Sequence, residues 1–216
     1  HDSSADGEIT LVGPWQGGSW QNYQEDSSNY AFDAWGLSIE KVVSGDFNGD
    51  GKSDLTFALF DSSYSFLVMS LNGDQAYPYF NSFQWNGELL DWGNVPGLVI
   101  FTNLPFGNQW EWDWDLEVND LASGDINGDD LDDLVVNLGN QAILVIWGDD
   151  ELDAEGFNQV DLSGILDGDS SKGLFIYIRD AIDSSVVSLE VGDLDRDGFA
   201  DIILGDDYLE QIYVIK

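Results

Sequence analysis

Three segments of the chain place oxygen-bearing side chains at alternate positions, broken once before the last: Asp46-Phe47-Asn48-Gly49-Asp50-Gly51-Lys52-Ser53-Asp54, Asp125-Ile126-Asn127-Gly128-Asp129-Asp130-Leu131-Asp132-Asp133 and Asp193-Leu194-Asp195-Arg196-Asp197-Gly198-Phe199-Ala200-Asp201. Counting each first Asp as position 1, carboxylates or amides fill positions 1, 3 and 5 in every copy, and a carboxylate returns at position 9. A tight turn folds such alternate oxygens around one hard cation, with the backbone carbonyl of position 7 as a further ligand; calcium suits that donor set. The expected ligands are Asp46, Asn48, Asp50 and Asp54 with the Lys52 carbonyl in the first loop. Asp125, Asn127, Asp129 and Asp133 with the Leu131 carbonyl form the second set, and Asp193, Asp195, Asp197 and Asp201 with the Phe199 carbonyl the third. Because position 7 serves through its backbone, its side chain is expected to vary freely. An EF-hand loop ends on a bidentate Glu at position 12, where this chain has Phe57, Val136 and Leu204, so that frame is excluded.

Strands must hold these loops. Each loop runs into an apolar stretch rich in β-formers, Leu55–Phe60, Leu134–Leu138 and Ile202–Leu204, and each follows another that closes on Gly, at 39–45, 118–124 and 186–192. The loop is therefore expected at a hairpin tip. Position 6 calls for a left-handed backbone, which Gly51 and Gly198 supply freely and Asp130 less so, and the second loop is expected to bind its ion more weakly.

A Gly-Asp-x-Asn/Asp-x-Asp-Gly-x-x-Asp-Leu loop between two strands resembles the FG-GAP repeats of integrin-type β-propellers and the related bacterial VCBS repeats. The resemblance covers residues 37–71 and 116–216, and Phe157–Gly168 is similar to the connection between bacterial FG-GAP blades. It implies an all-β fold, a β-propeller or partial propeller of four-stranded blades with calcium-binding hairpin loops. It also implies about three Ca2+ ions in a mainly structural role.

The first Asp recurs at 46, 125 and 193, which suits one four-stranded blade plus connections per repeat. One domain over 1–216 is expected, with blades at about 37–115, 116–180 and 181–216. The second blade takes an outer strand near 173–179. The third blade lacks a fourth strand, and residues 8–15, with their apolar run Ile9–Val12, are the candidate to close it and remove an exposed edge. Propellers usually have four or more blades. A degenerate fourth within 76–115, with strands at Phe83–Trp85, Leu98–Thr102 and Trp110–Val118, is one resolution; a chain that dimerises, a piece of a longer propeller, or strand exchange with a neighbouring copy are others.

Forty-two acidic residues face six basic ones, for a formal charge of −36, and positions 1, 3, 5 and 9 of the loops account for only ten of those carboxylates. The excess fits a saline habitat, where added salt screens the repulsion, or a surface that draws further cations or basic partners. Phosphate recognition runs on Lys and Arg, so nucleic acid is set aside as a partner. No apolar run approaches a membrane span, so no membrane insertion is expected. Cysteine is absent. Such loops often need extracellular millimolar calcium, so an extracellular or cell-surface location is expected.

From Trp110 to Val118 aromatic and aliphatic residues alternate with acids, so one strand face carries Trp110, Trp112 and Trp114. Trp15, Trp20 and Trp35 stand among Gly, Ser, Asn and Gln, the mixture that stacks on sugar rings and also builds aromatic interfaces. These six indoles are the candidate ligand-binding residues, with core packing as the competing role. The only histidine is His1, which excludes a Ser-His-Asp triad and a histidine zinc site. No catalytic residues are expected. The expected function is a non-catalytic adhesion, recognition or surface-assembly module whose partner is a protein or glycan ligand, self-association included. Its alternatives are a lectin, a subunit of a homopolymeric surface assembly by strand exchange, and an accessory domain of a secreted enzyme.

Overall fold

The computed structural model describes residues 38–61, 64–71, 84–85, 90–91, 97–102, 118–138, 142–152, 157–177, 186–206 and 210–216, all within one compact unit spanning residues 34–216. These residues are all-β, apart from a single 3-10 turn at Ile165–Asp167. The strands in chain order are β1 (Ser38–Gly45), β2 (Asp54–Asp61), β3 (Tyr64–Ser70), β4 (Gln84–Trp85), β5 (Leu90–Asp91), β6 (Leu98–Thr102), β7 (Asp120–Gly124), β8 (Asp133–Asn137), β9 (Ala142–Ile146), β10 (Phe157–Asp161), β11 (Gly173–Tyr177), β12 (Val186–Gly192), β13 (Asp201–Asp206) and β14 (Gln211–Ile215).

They form three main sheets, none closed on itself, with strand orders β1-β2-β3-β6-β10, β11-β9-β8-β7 and β12-β13-β14, and a separate small pair β4-β5. Neighbours are antiparallel except β10, which lies parallel to β6. Each sheet opens with two strands joined by one acidic loop. The register ends on Gly45 opposite Asp54, Gly124 opposite Asp133 and Gly192 opposite Asp201, so all three loops are hairpin tips built on the same closing pair.

Two segments lie differently from their sequence expectation. Leu98–Thr102, a candidate for a separate fourth blade, hydrogen-bonds to β3 as the fourth strand of the first sheet. Val99 and Phe101 enter the core beside Leu67 and Met69, burial that a small isolated sheet does not provide. Phe157–Gly168, expected as a connection, begins with strand β10, whose pairing covers the edge that β6 otherwise leaves open. The expected closing strand at 8–15 and the alternating segment Trp110–Glu117 lie outside the described residues.

The core explains the order of the sheets. Strands β8 (DLVVN) and β9 (AILVI) are buried at every residue, as in strands covered on both faces, and β9 is apolar throughout. One face sends Leu134, Val136, Leu144 and Ile146 against Ala58, Leu67, Met69 and Val99 of the first sheet. The opposite face sends Val135, Ile143 and Val145 against Leu189, Ile202 and Leu204 of the third. The second sheet is thus the filling of a three-sheet stack. The first strands of the sheets, β1, β7 and β12, run in contact with one another, β7 in the middle, and this brings the three loops into a row.

Candidate metal centre

Within each loop the side chains fold back onto the loop's own backbone in the same pattern. The position 6 N–H donates to the position 1 carboxylate: Gly51 to Asp46 Oδ2 at 2.9 Å, Asp130 to Asp125 Oδ2 at 3.0 Å and Gly198 to Asp193 Oδ2 at 3.1 Å. Position 5 donates to the side-chain oxygen of position 3, in Asp50 to Asn48 (3.2 Å), Asp129 to Asn127 (2.9 Å) and Asp197 to Asp195 (3.2 Å). Position 7 donates to position 5, from Lys52, Leu131 and Phe199 at 2.9, 3.0 and 3.0 Å. The alternate oxygens that the sequence spacing marked are thereby turned to the inside of one curl.

That curl requires a left-handed backbone at two places in each loop. Positions 4 and 6 have φ of 73° and 81° at Gly49 and Gly51, 79° and 68° at Gly128 and Asp130, and 65° and 97° at Arg196 and Gly198. Asp130 does adopt the conformation that position 6 demands. Arg196 adopts it at position 4, a demand that becomes visible only by aligning it with Gly49 and Gly128.

In the third loop the carboxylates of Asp193, Asp195 and Asp197 bring oxygens within 4.8 Å of one another, the single group of three acids so arranged among the described residues. The first two loops carry an Asn amide at position 3 instead. Lys216 Nζ hydrogen-bonds to Asp195 Oδ2 and holds that carboxyl below the ordinary carboxylate range. In the first loop Asp46 Oδ1 is buried and has no hydrogen-bond partner. A buried, partnerless carboxylate oxygen is a costly arrangement unless a cation meets it. All-oxygen donors, converging acids and this unpaired oxygen fit a hard divalent cation of the calcium type.

The position 9 carboxylates stand apart from the rim. Asp54, Asp133 and Asp201 are buried at the base of the loops and accept the position 2 N–H: Phe47 to Asp54 at 3.1 Å, Ile126 to Asp133 at 2.8 Å and Leu194 to Asp201 at 3.0 Å. Asp133 also accepts the Gly148 N–H on its other oxygen, at 2.9 Å. Burial pushes the Asp133 carboxyl up to about 6 despite these bonds. These residues clamp each curl to the strand that follows it.

The loops also clamp one another. The position 8 N–H of one loop donates to the position 1 carbonyl of the loop before it, Asp132 to Asp46 at 3.0 Å and Ala200 to Asp125 at 2.7 Å. The Asp132 carboxylate returns a contact by accepting the Asp46 N–H at 2.8 Å. Position 7 side chains lie on the position 4 glycine of the preceding loop: a Cβ at Gly49 would stand 2.6 Å from Leu131 Cδ2, and one at Gly128 only 2.2 Å from Phe199 Cε1. The expectation that position 7 side chains vary freely is therefore corrected for Leu131 and Phe199, each of which is fitted to a glycine that has no side chain to obstruct it.

Of the candidate ligand-binding indoles, Trp15, Trp20, Trp35, Trp110, Trp112 and Trp114 all lie outside the described residues. Trp147, half-buried after β9, donates its Nε1–H to the Ser170 carbonyl at 2.8 Å and packs against the core between the second and third sheets. No protein-family model matches this chain, and no curated protein sequence matches it.

Proposed function

We propose that this chain is a calcium-stabilised module of the FG-GAP/VCBS type, a propeller or partial propeller acting outside the cell in adhesion, recognition or surface assembly, without catalysis. The observation that carries the calcium part is the repetition. Three hairpin tips use the same closing pair, the same four backbone-to-side-chain bonds and the same two left-handed positions, though their residues differ at positions 2, 3, 4, 6, 7 and 8. A merely solvated acidic turn has no reason to keep that geometry three times. The ligating groups would be the side chains at positions 1, 3 and 5, the position 7 carbonyl and the position 9 carboxylate. The ion would neutralise acids that otherwise repel across a few ångströms, and its binding would stabilise the folded state by mass action.

Face-packed sheets whose first strands lie side by side support a propeller-like order. The adhesive or assembling role rests on the resemblance in the loops and on the third sheet. Its last strand, β14, has one strand neighbour among the described residues, and Ile212 and Val214 are exposed by 74% and 43%. That edge favours strand exchange between copies as the second reading.

Calorimetric titration with calcium chloride, paired with thermal melts in calcium and in EGTA, tests the proposal. About three binding events and a higher melting temperature in calcium are expected. A chain that takes up no calcium and melts at the same temperature in both buffers would overturn it. Light scattering of the same samples addresses the second reading, which expects calcium-dependent dimers or polymers.

A further inference from the structure

We infer that the three loops bind their cations as a coupled row with the second loop as its hub, an inference that rests on the calcium proposal above. The contacts between loops join ligating positions. The Asp46 peptide carries a position 1 carboxylate of the first loop, and its carbonyl accepts the N–H of Asp132, the residue directly after Leu131, whose carbonyl is the position 7 ligand of the second loop. The junction between the second and third loops repeats this through Asp125, Ala200 and Phe199. Leu131 and Phe199 thus have two functions. Their carbonyls belong to their own loop, while their side chains press on the left-handed glycine at position 4 of the preceding loop.

Ordering one loop around an ion sets the orientation of its position 7 and 8 peptides. That in turn fixes the neighbouring loop's position 1 peptide and its curl at position 4. A neighbour already held in shape loses less freedom when it binds, so occupancy of one loop raises the affinity of the next, and the effect is reciprocal. Among the described residues, the second loop has a neighbour on each side, whereas the first and third are joined only through it. Leu131 and Phe199 act here as positioning residues.

Nitrogen-15 NMR on the full chain reads each loop separately through the amides of Gly51, Asp130 and Gly198, each of which donates to the position 1 carboxylate of its own loop. Calcium is titrated into the wild type, into Asp193→Asn/Asp197→Asn, which disables the third loop, and into Asp125→Asn/Asp129→Asn, which disables the second. With the third loop disabled, half-saturation at Asp130 should move to about fivefold higher calcium or more, and Gly51 should move less. With the second disabled, Gly51 and Gly198 should both move. Phe199→Ala, which keeps every ligating oxygen, should weaken the second loop and so separate positioning from ligation. Dispersed strand amides at saturating calcium show that each variant is folded. Unchanged half-saturation at the surviving loops would overturn the coupling while leaving the calcium proposal intact. Absence of any calcium response in the wild type would overturn both.

Discussion

Asp133 shows how much one side chain's surroundings matter. Its folded value is raised from 3.8 to about 6 by burial, so without a cation the folded state holds the proton more tightly than the unfolded chain does. The stability this contributes is fully present below about pH 4 and is lost as pH rises through about 6, a decline of at most about 3 kcal/mol, reduced by whatever solvent screening reaches the group. Denaturant melts in EGTA from pH 3.5 to 7.5 should show that decline, and Asp133→Asn should flatten it. The glycines provide a second residue-scale comparison. Gly128→Ala meets both a left-handed backbone and the Phe199 ring and should lose about 2–3 kcal/mol in urea unfolding. Gly198→Ala has the same kind of backbone but no neighbour within 4 Å, and should lose only about 1 kcal/mol. Asp130→Gly relieves the left-handed strain at position 6 and should stabilise the protein by about 0.5–1 kcal/mol while strengthening calcium binding at the second loop.

Among the elements, the second sheet bears the largest consequence of substitution because it is covered on both faces. Leu144→Ala in β9 opens a cavity in a fully buried position and should lower unfolding free energy by about 2–5 kcal/mol. Ile212→Ala in β14 removes a side chain that is 74% exposed and should fall within about 0.5 kcal/mol of the wild type. Equal losses at the two positions would contradict the stacking order of the three sheets. Asp120 in β7 is a polar counterpart of that order. Its carboxylate accepts the Leu189 N–H at 3.2 Å from the third sheet and lies 3.6 Å from Lys41 Nζ of the first, so one residue of the middle strand ties both outer sheets.

For the whole molecule, the formal charge of −36 opposes compaction, and among the described residues ion pairs such as Lys172 with Asp149 offset it in part. Self-repulsion of this size is screened by salt, over about 10 Å at 0.1 M and about 3 Å at 1 M. Melting temperature in EGTA should therefore climb as sodium chloride is raised from 10 mM to 1 M. On the calcium proposal, calcium at millimolar concentration should exceed what its ionic strength accounts for, because it would act at defined sites. Differential scanning calorimetry with magnesium and calcium at matched ionic strength separates the two effects.

Local chemistry was legible from residue types alone: the three loops, the strands on either side of them and the all-β character follow from alternate oxygens, β-branched runs and closing glycines that interact within a dozen residues. The ends of β1, β2, β8, β12 and β13 fall within a few residues of where those patterns place them. Which apolar strand faced which neighbour was decided by tertiary structure, because a run such as Leu134–Leu138 carries apolar residues on both faces and does not say what covers either. The same holds for Leu98–Thr102, whose partner β3 is distant in sequence, and for β10, whose partner β6 is farther still. The fit of Leu131 and Phe199 onto glycines of the preceding loops also arises only when separate hairpins are packed together, whereas the left-handed Arg196 belongs to its own loop's curl and is readable by aligning the three loops. Sequence determined what each loop can ligate; packing determined that the loops touch.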